Sequence, residues 1–228
     1  MDNTPFHLFR HRVDARTSIK MAEAAYEDRP LDDRYELFQG AFDGQVILQD
    51  SGGRVMIAFR GTESVSDWIR NAMRYRTGFP HMNMNGGSSS VHAGFLSQYS
   101  GMRRRVIDYV RASDASKVLI TGHSLGGALA TLCAADIAHQ FADKTIDCYA
   151  YSSPRVGDRR FVNYVEHQPN LTVLRIRVPG DVVTSLPYFG FVHTRGVTSV
   201  PLPKSMSSWC GNLRKRHSLR FIADRMYS

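Results

Sequence analysis

One stretch, Lys117 to Ala130 (KVLITGHSLGGALA), constrains this chain more than any other. Val118, Leu119, Ile120 and Thr121 run as strand-forming residues straight into Gly122. Leu125, Leu129 and Leu132 then leave with helical spacing, so the stretch reads as strand, turn, helix. Gly122-His123-Ser124-Leu125-Gly126 fits the G-x-S-x-G nucleophile elbow. A serine at so sharp a turn takes a strained backbone with its hydroxyl exposed, and its neighbours two positions away must lack Cβ for strand and helix to approach. The helix begins at the serine, so the N–H of Leu125 and the positive end of the helix dipole are available to a developing oxyanion. A plain glycine-rich turn with an exposed serine contains the same five residues. The strand before it and the helix after it favour the elbow.

A second apolar run, Arg54 to Phe59, reads as a central strand covered on both faces. It leads into Arg60-Gly61-Thr62, and on to Asp67-Trp68. Thr62 has a backbone N–H and a hydroxyl for a second oxyanion donor; the alternative is a Gly-Thr turn with Asp67 as a helix cap. Helices are expected over 18–26, 95–110 and 160–167 and from about His217. Strands are expected over 45–48, 146–151 and 171–178, with edge strands at 191–194 and 196–200. Alternating strands and helices predict an α/β fold, a mainly parallel central sheet flanked by helices, in a single domain over 1–228. From Thr77 to Ser90 no period survives among the Gly, Ser and Asn residues, which predicts a mobile excursion. Its Phe79, Met82 and Met84 either cover an apolar pocket or simply touch the surface.

The formal net charge of +8 favours anionic partners, with Arg103-Arg104-Arg105 and Arg214-Lys215-Arg216 as the local concentrations. Each run is in the first place a solvated face, and otherwise a lipid-headgroup contact or a nucleic-acid patch. No zinc finger, RNA-recognition signature or basic zipper accompanies them, which puts an anionic membrane or lipid-droplet surface ahead of nucleic acid. No apolar run approaches the roughly 20 residues of a bilayer span. The first twelve residues are charged where a secretion signal needs an apolar segment, and Cys133, Cys148 and Cys210 suggest neither a disulfide framework nor a zinc site. A cytoplasmic location is the default expectation, with a removed leader or non-classical export left open.

Four stretches together resemble the class 3, fungal-type lipase family of α/β hydrolases. They are Phe59-Arg60-Gly61-Thr62 with Asp67-Trp68, Val91-His92-Ala93-Gly94-Phe95, Gly122 to Ala128, and Ser153-Pro154-Arg155-Val156-Gly157-Asp158 with Asp181-Val182-Val183. The resemblance implies Ser124 as nucleophile, Asp181 as acid and His217 as general base, with Thr62 and Leu125 as oxyanion hole. It implies a lid over about 69–90, with Trp68, Phe79, Met82 and Met84 contacting lid or substrate, and no metal or cofactor. His193 competes as base and Asp158 as acid; His92 and His123 are expected to be packing or supporting groups. Thr184 stands where the family often has proline, Phe221 replaces a tyrosine, and the basic run before His217 is unusual. The implied activity is carboxylic-ester hydrolysis on a lipid substrate. Acylglycerols come first, then phospholipids and soluble feruloyl-type esters; a non-catalytic lipid-binding protein is the alternative of a different class.

Overall fold

Strand β3 (Arg54–Phe59) shows how one sheet supports two cores. Val55, Ile57 and Phe59 join one hydrophobic cluster, Met56 and Ala58 the other, and all five are buried. β6 (Lys117–His123) repeats the alternation, with Val118 and Ile120 on one side and Leu119 on the other. Period-two side chains on a strand covered on both faces require this division.

The computed structural model describes residues 12–27, 35–40, 44–62, 75–80, 89–202 and 213–227. With β1 (Tyr35–Gln39), β2 (Gln45–Ser51), β7 (Thr145–Tyr151), β8 (Leu171–Arg177) and β9 (Val197–Ser199), the main sheet has the order β1-β2-β3-β6-β7-β8-β9. The β1–β2 and β2–β3 pairs are antiparallel and the others parallel. The expected α/β architecture is therefore present, with β1 an additional antiparallel edge strand that the sequence reading did not contain.

Helix α1 (Arg12–Glu27) lies against β2, β3, β6 and β7, next to α6 (Leu219–Tyr227). Ser18 Oγ, 2.7 Å from the Tyr151 hydroxyl, fastens it to β7. On the other face α3 (Leu125–Gln140) packs under the sheet and against α2 (Ala93–Ala112), while α4 (Arg159–Glu166) meets β8. Every residue of α3 from Leu125 to Ala138 is buried, as a helix apolar all round must be. Its one carboxylate, Asp136, accepts from the Tyr99 hydroxyl (2.7 Å), Arg103 Nε (2.6 Å) and Gln140 Nε2 (2.8 Å). A buried charge persists only when paired and hydrogen-bonded in this way.

Three local expectations change. The excursion from Thr77 is anchored at both ends, because β4 (Arg76–Gly78) and β5 (Ser90–His92) form an antiparallel pair with Thr77 opposite Val91. Residues 191–194 make an isolated bridge, Val192 to Gly157, instead of a strand. The terminal helix expected from about His217 is α6, and a short additional helix, α5 (Leu213–Arg216), precedes it with His217 in the break between them. No helix among the described residues is long and apolar enough to cross a membrane.

Candidate active site

β6 ends at His123, and Ser124 turns the chain with φ 58° and ψ −124°. A non-glycine residue holds that region only when its surroundings over-determine it. Here the Ser124 N–H donates to the Tyr151 carbonyl (2.9 Å), and the Ser124 carbonyl accepts from Gly127 N–H (3.0 Å) to start α3. A Cβ on Gly122 would run into the backbone of Gly126, and one on Gly126 into the carbonyl oxygen of Phe59. The two glycines are thus needed for close approach. Against expectation the serine is 1% exposed, because the turn is enclosed by the chain around it instead of standing in solvent.

The Ser124 hydroxyl makes no cap bond to its own helix and is instead 2.8 Å from His217 Nε2. His217 Nδ1 is 2.9 Å from Asp181 Oδ2. A carboxylate only accepts, so Nδ1–H donates to Asp181 and Nε2 is left to accept the serine proton. Asp181 is buried just beyond β8, where its Oδ1 caps a 3-10 turn (Val182–Ser185) by accepting from Val183 N–H at 3.1 Å. Thr184, in the position where proline was expected, donates its hydroxyl to the Asp181 carbonyl at 2.8 Å. Arg216 is buried and donates to the Pro179 carbonyl at 2.8 Å, holding the loop that leads into Asp181.

His123 supports His217 from behind. Its Nε2 is 2.8 Å from the His217 carbonyl, which can only accept, so Nε2 carries the proton. Nδ1 then accepts from the Tyr26 hydroxyl at 2.9 Å. Burial and the neighbouring His217 lower the His123 pKa to about 3, which keeps this ring neutral and fixes the tautomer. Tyr26 is the functional-site residue the sequence reading missed. A tyrosine near the end of an amphipathic helix has no local mark separating it from an ordinary packing residue.

Leu125 is the first residue of α3, so its N–H belongs to the turn whose donors lack intrahelical acceptors. Thr62 follows Gly61, where a Cβ would lie 2.6 Å from the His123 carbonyl oxygen. The loop after β3 therefore rests against the elbow. His193 is apart from this cluster: its Nε2–H donates to the Thr184 carbonyl at 2.6 Å, and burial followed by Arg175 lowers its pKa to about 3. Asp158 caps α4, accepting from Phe161 N–H (2.9 Å) and Ser90 N–H (3.0 Å), which occupies both carboxylate oxygens. His92 is a buried cap of α2, with its ring 4.3 Å from that of Phe95.

Phe79 corrects the expectation of an apolar contact carried on a mobile cover. Its N–H donates to the Ser89 carbonyl at 3.1 Å, and its ring is buried edge-on against Phe161, 5.3 Å between centroids. Trp68, Met82 and Met84 lie outside the described residues. Most arginines of the two basic runs have partners within the chain. Arg103 binds Asp136, Arg105 pairs with Glu36, Arg104 is 3.7 Å from Asp108, and Arg216 is buried.

The sequence profile of the family described as Lipase (class 3) matches residues 56–191. The lipase of Rhizomucor miehei is 34% identical over 160 residues, 66% of this chain and 43% of the relative. Phospholipase A(1) DAD1, chloroplastic, of Arabidopsis thaliana is 37% identical over 150 residues, 58% and 33%. Secreted mono- and diacylglycerol lipase 1 of Fusarium solani is 34% identical over 158 residues, 66% and 45%. The matched stretch thus spans under half the length of each of these relatives. A solved triacylglycerol lipase, described as having a serine protease triad at its catalytic centre, superposes with a TM-score of 0.71 at 25% identity, covering 87% of this chain and 82% of that one. With the matched profile spanning more than half of its residues, this chain belongs to the class 3 lipase family.

Proposed function

We propose that the protein is a serine carboxylic-ester hydrolase acting on lipid acyl esters, acylglycerols foremost, as one domain and without metal or cofactor. The observation that carries this is the bridge made by His217, 2.8 Å from the Ser124 hydroxyl and 2.9 Å from the Asp181 carboxylate. His217 Nε2 takes the serine proton as Oγ attacks the ester carbonyl, and Asp181 holds the tautomer and stabilises the imidazolium. The oxyanion is received by the backbone N–H groups of Leu125 and Thr62 at the positive end of α3. His217 then returns the proton to the leaving alcohol, and water, deprotonated by the same nitrogen, releases the acid from the acyl-enzyme. Since Ser124 is covered, substrate entry requires a displacement of whatever overlies it.

Acylglycerol is favoured by the names of the Rhizomucor and Fusarium relatives, and phospholipid is the second reading because a 37% identical relative is named a phospholipase A(1). One of these relatives is named as secreted, which points away from a cytoplasmic setting and towards an extracellular one. The test is a fluorophosphonate label with turnover of a soluble p-nitrophenyl ester, a triglyceride emulsion and phospholipid vesicles. Ser124→Ala is expected to keep its fold, lose the label and lose about 10³-fold or more of the rate. A folded Ser124→Ala protein with near-normal turnover overturns the reading.

A further inference from the structure

Phe189 is 87% exposed, with Tyr188 at 57% and Tyr75 at 71%. Large aromatic side chains left bare together mark a contact surface. Their loop is firmly held. Arg155 N–H donates to the Leu186 carbonyl (2.7 Å), and its Nη1 donates to the carbonyls of Pro187 (3.1 Å) and Tyr188 (3.0 Å). From the other side the Arg76 guanidinium abuts Gly190 and lies 5.4 Å from the centroid of the buried Phe191 ring. Tyr75, next to Arg76, is tied down through its carbonyl, which accepts from Ala93 N–H at 2.9 Å. The loop leaves the 3-10 turn that Asp181 caps, in which Val182 is also exposed.

The charges behind these aromatics have one sign. Among the described residues no carboxylate is within ion-pair distance of Arg76, Arg155, Arg175 or Arg177. Burial first, then repulsion from Arg177 and Arg155, lowers the Arg175 pKa to about 10, so these guanidiniums act on one another without a neutralising acid. His193 beneath them stays neutral for the same reasons. Arg103 and Arg105, by contrast, already have carboxylate partners. Bare aromatics beside unpaired guanidiniums complement a surface with an apolar interior and anionic phosphates at its rim. Aromatic rings seat at the headgroup boundary of such a surface, and arginines bind its phosphate oxygens.

We infer that the Pro187–Phe191 loop, with Tyr75 beside it and Arg76 and Arg155 at its base, is a fixed contact for an anionic lipid surface. The inference deepens the lipid-ester reading and rests on it only for orientation, since the loop adjoins the turn that bears Asp181. It also assigns the contact to a braced loop instead of to a mobile cover or to the paired Arg103-Arg104-Arg105 run.

The test is co-sedimentation with phosphatidylcholine vesicles, with and without phosphatidylglycerol, using Ser124→Ala to keep the lipid intact. Phosphatidylglycerol is expected to raise binding and salt to weaken it. Adding Tyr188→Ser and Phe189→Ser is expected to lower partition about tenfold on both vesicles. Adding Arg76→Gln is expected to lower it about fivefold on anionic vesicles alone, and Arg104→Gln to leave it unchanged. Thermal unfolding checks that each variant is folded. Equal partition with and without the exposed aromatics, or no gain from phosphatidylglycerol, overturns the inference. So does a lipid-free dimer that the aromatic substitutions dissociate, because the surface then belongs to a second copy. Soluble-ester turnover by the unsubstituted chain reads the catalytic proposal separately. A chain that hydrolyses the ester but ignores vesicles loses only the surface; one that binds vesicles through this loop but hydrolyses nothing loses only the hydrolase.

Discussion

Ser124 and His217 meet at 2.8 Å, yet they are held in opposite ways. The serine is fixed by its own stretch of chain: a left-handed turn between β6 and α3, two glycines pressed against backbone, and an N–H bound to β7. The histidine sits in a break between two short helices, and its bonds come from elsewhere, from Asp181 at the end of β8 and from His123 at the end of β6. One partner is positioned by local geometry, the other by tertiary contacts. Substitutions in the frames that hold the two residues should therefore fail differently, the glycines of the elbow through the fold and the partners of the histidine through the rate.

The largest effect expected on the histidine side is on turnover. His217→Ala should cost about 10³-fold or more in kcat on a soluble ester with little change in stability, and Asp181→Asn should follow because Asn no longer fixes the tautomer. His193→Ala should keep kcat within about tenfold while losing about 1–2 kcal/mol in urea unfolding, since the Thr184 carbonyl loses its donor. A reversed ranking of the two histidines transfers the base to His193. On the serine side, Gly126→Ala places a methyl against the Phe59 carbonyl, which as backbone cannot swing away. A loss of about 2–3 kcal/mol is expected, read as a lowered urea midpoint at constant slope. An unchanged midpoint means that the elbow is softer than its geometry implies.

The same division explains what the sequence revealed. Ser124, Leu125 and the strands on either side were legible because strain, glycine approach and helix start are consequences of neighbouring residues. Asp181 was placed just after a strand by its neighbours, but its role came from the family resemblance. His217 also entered through family resemblance, and it stands at the start of the expected terminal helix, in a break after a short helix that no pattern had marked. Phe79 misled because Gly, Ser and Asn around it suggest mobility, whereas the pairing of Thr77 with Val91 closes the ends and buries it. The carboxylate partners of Arg103 and Arg105 were illegible for a similar reason, since Asp136 lies on another helix and Glu36 on an edge strand. No periodicity connects residues so far apart.

A smaller effect probes the link between the halves. Tyr26→Phe removes the hydroxyl that donates to His123 Nδ1 and leaves the ring packed 5.8 Å from the imidazole. His123 then loses the bond that orients it towards the His217 carbonyl, at about 1 kcal/mol for a hydrogen bond of this kind. A fall in kcat of about fivefold with KM unchanged is expected on a soluble ester. A change in stability alone, with kcat intact, makes Tyr26 a packing residue and leaves His217 positioned by Asp181 only.

The acid dependence of stability separates the two sides once more. His123 at the elbow and His193 beside the Asp181 turn both have folded-state pKa values of about 3, against about 6.5 for an unconstrained histidine. Between those values the unfolded chain binds a proton that the folded chain refuses, so stability falls as the pH falls from about 6.5 towards 3. Above about 6.5 neither ring contributes. Each histidine should add up to about 1.4 kcal/mol per pH unit to the slope in that window. Urea unfolding at stepped pH should show His193→Asn and His123→Asn each flattening the slope by one proton, and because the rings have different hydrogen-bond partners the two losses should add. An unaltered slope in either variant means that its ring takes up a proton in the folded protein. For His123 that outcome would put two donating nitrogens on the ring and remove its ability to accept from Tyr26.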